Sequence, residues 1–123
     1  MNAKRNSTGF LVKQRLFLKA YLITFIEKGR PYGTQMLEEL KEQFKPFGFS
    51  PNHAEVYRAL HELMKEGVIR PDKRKLREDS FQEVTIYFLR DSEKAQTIKQ
   101  QAIDEFVRSH ALLEQAIEDL TDK

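Results

Sequence analysis

The chain has no cysteine, and only 5 glycines and 3 histidines among its 123 residues. Without cysteine there is no disulfide scaffold, no thiolate metal site and no thiol nucleophile, which suits a cytosolic protein. Five glycines, scattered along the chain, supply no Gly-rich phosphate loop. The histidines are His53, His61 and His110. His61-Glu62 begins like a zincin motif, but Lys65 stands where the second histidine would be, so HExxH is absent. His53 and His61 lie too far apart along one helix to chelate an ion directly. We expect no metal, no cofactor and no catalysis. Long uncharged apolar runs are also missing. Phe10 to Ile26 is rich in apolar residues but interrupted by Lys13, Arg15 and Lys19, which argues against a membrane span and a signal peptide.

What is present is an ordinary apolar fraction, 40%, with 9 phenylalanines, enough for the core of one domain. Net charge is only +2, but it is unevenly spread. Residues 1–90 hold 17 Lys and Arg against 11 Asp and Glu; residues 91–123 hold 4 against 8. A basic body and an acidic C-terminal segment suggest two jobs.

The most informative stretch is Ser50 to Ile69, SPNHAEVYRALHELMKEGVI. Asn52 is a good helix N-cap, with Glu55 three residues on in a capping-box pattern. Gly67 offers the left-handed position just past the end. Val56, Leu60, Leu63 and Met64 form an apolar stripe. The opposite face collects Ala54, Arg58, His61 and Lys65, with Glu62 beside them. Small near its start and then cationic, this face fits a DNA major groove. An ordinary solvated face would look similar, so the neighbours must decide.

Upstream, residues 1–9 read as a flexible, weakly basic arm carrying Lys4 and Arg5, with Ser7 or Thr8 available as a cap. Phe10 to Glu27 reads as a first helix, apolar nearly all round and therefore buried on several sides, with part of it expected against a second subunit. Lys28-Gly29-Arg30-Pro31 ends it. Thr34 to Lys45 reads as a second helix, outwardly acidic at Glu38, Glu39 and Glu42.

Downstream, Val68-Ile69-Arg70 starts one strand and Phe81 to Leu89 forms another. The connection between them, RPDKRKLREDS, carries Lys73, Arg74, Lys75 and Arg77, with Arg70 at its edge. Like charges so close repel one another unless a polyanion answers them. Asp91-Ser92 caps a last helix, Glu93 to Leu120, about 42 Å long at the standard rise. Its apolar stripe includes Ile98, Ala102, Phe106, Leu113, Ile117 and Leu120, flanked by Ile103, Val107 and Leu112. A helix longer than its domain is wide should project, and a projecting apolar stripe calls for a second copy.

Two helices joined by a Gly-containing turn, then a hairpin, make a winged helix-turn-helix. The expected fold class is α+β, mainly α with a small β-hairpin. Residues 10–90 would form the DNA-binding domain and residues 91–123 the dimerisation helix. The candidate DNA-binding residues are Lys13, Arg15, Asn52, His53, Ala54, Arg58, His61, Arg70, Lys73, Arg74, Lys75 and Arg77. Double-stranded DNA and a second copy of the chain are the expected partners, in the cytoplasm at the nucleoid. A ligand-sensing repressor on the same fold is the main rival reading; the wing cations disfavour a pure protein-interaction module.

Three stretches, STGFLVKQR (Ser7 to Arg15), PNHAEVYRALHEL (Pro51 to Leu63) and QEVTIY (Gln82 to Tyr87), resemble the bacterial replication terminator protein family over nearly the whole chain. A looser frame is similar to PadR-type regulators: Tyr32-Gly33, Val56-Tyr57-Arg58-Ala59-Leu60 and Glu66-Gly67-Val68-Ile69. The first resemblance implies a winged-helix homodimer joined through its C-terminal helices, with two dimers on adjacent halves of a terminator site. It also implies arrest of the replicative helicase, a further partner, from one direction only. By matched position, Lys13, Arg15, Asn52, His53, Arg58, Lys73 and Lys75 would lie in the DNA-contacting regions. Tyr32 would lie in a short strand region with a role beyond simple binding.

Overall fold

The computed structural model describes residues 9–75, 77–79 and 81–121. The expected basic arm, with Lys4, Arg5, Ser7 and Thr8, lies outside the described residues except for Gly9. The element order is α1 (Gln14–Glu27), α2 (Gly33–Phe44), α3 (His53–Lys65), β1 (Ile69–Lys75), β2 (Glu83–Leu89) and α4 (Ser92–Leu120), with a 3-10 turn at Lys45–Phe47. This is an α+β winged helix-turn-helix with a long C-terminal helix.

α1 starts later than its apolar pattern suggests. Lys13, the N-cap, is extended and caps nothing with its side chain. The preceding chain is held by a tertiary contact instead: the Val12 N–H donates to Ser109 Oγ on α4 at 2.8 Å. Without a capping side chain, the helix cannot recruit these residues against that bond. Phe10, expected to be buried in the helix, is 70% exposed.

The all-round apolar character of α1 has an explanation within one chain. α1 packs against α3, α4 and β2. Leu18, Leu22, Ile23, Phe25 and Ile26 enter the core, where they meet Met36, Leu37 and Leu40 of α2 and Val56, Ala59, Leu60 and Leu63 of α3. Phe17 joins the layers: its ring lies 5.1 Å from Phe44 and 5.6 Å from both Phe49 and Phe106. Offset and edge-on aromatic contacts of this kind add to plain burial.

α4 packs on α1, with Phe106 against Phe17 and Lys99 against Glu27, and its buried residues Ala95, Ala102 and Ser109 are seven residues apart. That spacing keeps small residues on one seam, so the two helices can approach closely. Part of the expected dimerisation stripe also has neighbours in its own chain. Ala102 is fully buried inside its own chain, Ile98 packs on the core, and Phe106 stacks edge-on against Phe17. The half of α4 after Ser109 is different: Leu113, Ile117 and Leu120 are exposed at 42%, 65% and 86%.

The hairpin is antiparallel, pairing Ile69 with Leu89 through to Lys75 with Glu83. Tyr32 bridges to Ile86, adding a one-residue third strand, and the Tyr87 N–H donates to the Pro31 carbonyl at 3.1 Å. The wing is thereby anchored to the start of α2.

Candidate nucleic-acid interface

α3 begins as its residues require. Asn52 is extended, and its Oδ1 accepts from the Glu55 N–H at 2.8 Å. Such a cap is worth about 1 kcal/mol. The helix ends where Gly67 takes φ +78°, with the Val68 N–H donating to the Leu63 carbonyl at 2.9 Å. Val56, Ala59, Leu60 and Leu63 are buried, which turns Asn52, His53, Ala54, Arg58, His61 and Lys65 to solvent. All the α3 residues predicted from sequence therefore share one exposed side. Arg58 leans toward Glu55, with 3.4 Å between the charged groups.

His53 stacks on Tyr57, ring centres 4.3 Å apart. Tyr57 is itself wedged against the start of α2. A Cβ on Gly33 would fall 2.3 Å from the Tyr57 hydroxyl oxygen and 2.8 Å from Cζ. Burial raises the phenol pKa of Tyr57; Tyr87 is raised too, by burial and then by the charge of Tyr57 nearby. The absent side chain at position 33 thus sets the angle at which α3 meets α2. Gly33→Ala should force the Tyr57 ring, and His53 with it, out of place. Overpacking of this sort costs about 1–3 kcal/mol, partly offset by the roughly 1 kcal/mol advantage of Ala over Gly in a helix. We expect a net loss on the order of 1 kcal/mol in urea unfolding. Partial rescue is expected from Tyr57→Phe in the same chain, because the tightest clash is with the hydroxyl.

α1 and α3 are joined by charge. Arg15 and Lys19, one turn apart, reach Glu62 and Glu66, also one turn apart. Arg15 Nη1 pairs with Glu62; Lys19 Nζ lies 3.3 Å from Glu62 and 3.0 Å from Glu66. Partial burial works to raise the Glu62 carboxyl, but the hydrogen bond and charge of Lys19, then those of Arg15, outweigh it and the net direction is down. Glu62 stays ionised. Arg15, predicted as a phosphate contact, already has an anionic partner; Lys13 is exposed just before it.

The wing corrects the reading of its cations as a loop cluster. Arg70, Lys73, Arg74 and Lys75 lie within strand β1; of the predicted wing cations only Arg77 falls beyond it. Pairing against the β-branched and aromatic β2 extends the ladder through residues with little strand preference of their own. The pleat then divides them. Pro71, Lys73 and Lys75 share the face that carries Ile69 and Tyr87 inward, whereas Arg70, Asp72 and Arg74 take the other face. There the Arg70 and Arg74 guanidiniums lie 4.9 Å and 5.6 Å from the Phe88 ring centre. Arg74 Nε also donates to Asp72 at 2.9 Å, and Arg77 lies 3.6 Å from Asp79. These arginine–carboxylate pairs and the α1–α3 network were not anticipated, although the i, i+4 spacing of Arg15/Lys19 and Glu62/Glu66 is visible in the sequence.

An exposed, capped third helix beside a basic hairpin, on a helix-turn-helix core, defines a winged helix-turn-helix protein. A family described as replication terminator protein matches residues 9–121. The chain belongs to the replication terminator protein family. It is 49% identical over 116 residues to the replication termination proteins of Bacillus subtilis (strain 168) and Bacillus vallismortis, covering 94% of this chain and 95% of each relative. Among solved structures, the crystal structure of Pex from Synechococcus sp. is similar with a TM-score of 0.60 over 82% of this chain and 85% of that one. At 17% identity that likeness concerns the fold alone.

Proposed function

We propose that the protein is a homodimer that binds double-stranded DNA at replication terminator sites and blocks the replicative helicase from one direction. The observation that carries this reading is the exposed cationic side of α3 beside a basic wing, in a chain of the replication terminator family. Ala54, Arg58 and His61 face the major-groove base edges. Asn52 and His53 lie at the helix N-terminus, where backbone N–H groups favour phosphate. Lys13 and Arg15 approach the backbone from α1, and Arg70, Lys73, Arg74, Lys75 and Arg77 approach it from the wing. The dimer forms through the exposed half of α4.

Polarity is the demanding part of the reading. A dimer on a symmetric site presents equivalent ends to both approaches. Broken symmetry must come from unequal half-sites or from two dimers held with unequal affinity. Tyr32, 41% exposed at the wing's anchor, gives a neighbouring dimer on adjacent DNA a surface to meet. Coupling between two such sites typically amounts to about 1–3 kcal/mol. The test is strand displacement by the host helicase on a site placed in each orientation. Arrest in one orientation only is expected. Equal passage both ways, on demonstrably filled sites, would instead favour a PadR-like transcriptional repressor.

A further inference from the structure

The cations of the proposed DNA surface differ in their partners: Arg70 lies over the Phe88 ring and has no carboxylate partner among the described residues. Each of four arginines has a carboxylate of its own chain: Arg15 with Glu62, Arg58 with Glu55 at 3.4 Å, Arg74 with Asp72 at 2.9 Å, and Arg77 with Asp79 at 3.6 Å. Lys13, Lys73 and Lys75 have no carboxylate partner among the described residues. The Arg58 and Arg74 pairs are local, between residues three and two apart, and both arginine side chains remain 56% exposed. These pairs are therefore not props of the core. Glu55 in the first turn of α3 suits the helix N-terminus, but a surface built only to attract DNA would be better without these carboxylates.

We infer that Glu55 is a specificity-determining residue, which holds Arg58 until the DNA offers a better acceptor. The inference rests on the DNA-binding reading above. An arginine on a carboxylate contributes little net charge at a distance, so it adds little to the counterion release that drives binding to any sequence. The lysines supply that general attraction. A guanine edge gives two acceptors in a fixed geometry, which matches the guanidinium fork as a carboxylate does. A single phosphate oxygen on an arbitrary sequence competes less well. Partner exchange is thus favourable at the right sequence and unfavourable elsewhere. The guard suppresses the wrong complex more than it weakens the right one, which is how specificity by difference operates.

Glu62 holds both Arg15 and the mostly buried Lys19, so Glu62→Gln could disturb the packing of α1 on α3. Glu55→Gln avoids this, because it neutralises an exposed local pair, and Asp72→Asn does the same beside the backbone-facing Arg74 as a comparison. Titrations over a salt series use two probes: a duplex recovered from a random pool by repeated selection on the wild-type protein, and a scrambled duplex of the same composition. We expect each variant to bind the scrambled duplex about twofold to fivefold more tightly, the span covered by exposed ion pairs. The salt slope should steepen by about one. For Glu55→Gln, affinity for the selected duplex should change less, so discrimination falls; Asp72→Asn should shift both duplexes alike. Beside Arg58→Ala, Glu55→Gln should relieve repulsion from both duplexes alike and leave discrimination unchanged, and Glu42→Gln on the remote face of α2 should have no such effect. Equal gains on both duplexes from Glu55→Gln, a loss of discrimination from it that persists beside Arg58→Ala, or no gain at all although the wild type does discriminate would each overturn this inference alone. A wild type that binds neither duplex would overturn the DNA-binding reading and this inference together.

Discussion

Leu113→Asp together with Ile117→Asp should leave a folded monomer. Both residues lie on the half of α4 that the described residues leave uncovered, exposed at 42% and 65%. With Ile103, Val107 and Leu120 they occupy one sector of about 140° on the helix, at roughly 100° per residue. If a second copy covers that sector, each aspartate puts an uncompensated charge into an apolar seam. The cost is several kcal/mol per buried charge, on the order of the whole stability of a modest dimer. Two substitutions in each of two chains should therefore abolish association at micromolar concentration. The choice of positions matters. Phe106→Asp would be ambiguous, because Phe106 stacks on Phe17 within the chain and its loss would damage the domain itself. Sedimentation equilibrium reads the mass, and far-UV circular dichroism checks that the helices remain. A double variant that still sediments as a dimer, or a wild type that sediments as a monomer, would place the interface elsewhere or remove it. The variant should also bind DNA far more weakly, since two linked recognition helices act at a high effective concentration and separate ones do not.

That choice of positions could not have been made from the sequence. The stripe on α4 is legible at helical spacing, but periodicity only says that a face is covered, not by what. Ile98, Ala102 and Phe106 belong to the same stripe as Leu113 and Ile117; the first three have neighbours within the chain, whereas Leu113 and Ile117 are exposed. The small residues Ala95, Ala102 and Ser109 at sevenfold spacing were the available hint of a close neighbour in the same chain. α3, in contrast, could be read in full, because Asn52, Glu55 and Gly67 determine its ends through local bonds and backbone preferences. The start of α1 could not, since it depends on a bond from Val12 to Ser109, 97 residues away. β1 was misread as a charged connection for a related reason. Arg70 to Lys75 have no strand preference of their own, and only their register against β2 makes them a strand and sorts Lys73 and Lys75 from Arg70 and Arg74.

Arg58→Ala should flatten discrimination between DNA sequences more than any other single substitution on the proposed surface. Arg58 lies in the middle of the exposed side of α3, beyond the capped first turn, and its side chain is 56% exposed. Its guanidinium can address two acceptors on one base edge, a geometry worth about 1–3 kcal/mol of discrimination. A dimer carries two copies of Arg58, so on a site with two matched halves the loss is about 2–6 kcal/mol, provided the halves add independently. Binding to a scrambled duplex should fall only about twofold to fivefold, because Arg58 paired with Glu55 adds little to the general attraction but its loss uncovers the Glu55 charge. Lys73→Ala and Lys75→Ala should do the reverse. They should weaken binding to all sequences alike and reduce the salt slope by about one for each charge in contact with phosphate. The two patterns separate in a titration of selected and scrambled duplexes over a salt series. If Arg58→Ala weakens both duplexes equally and lowers the slope, Arg58 is a phosphate clamp, and sequence discrimination must come from Ala54, His61 and the N-terminal turn of α3.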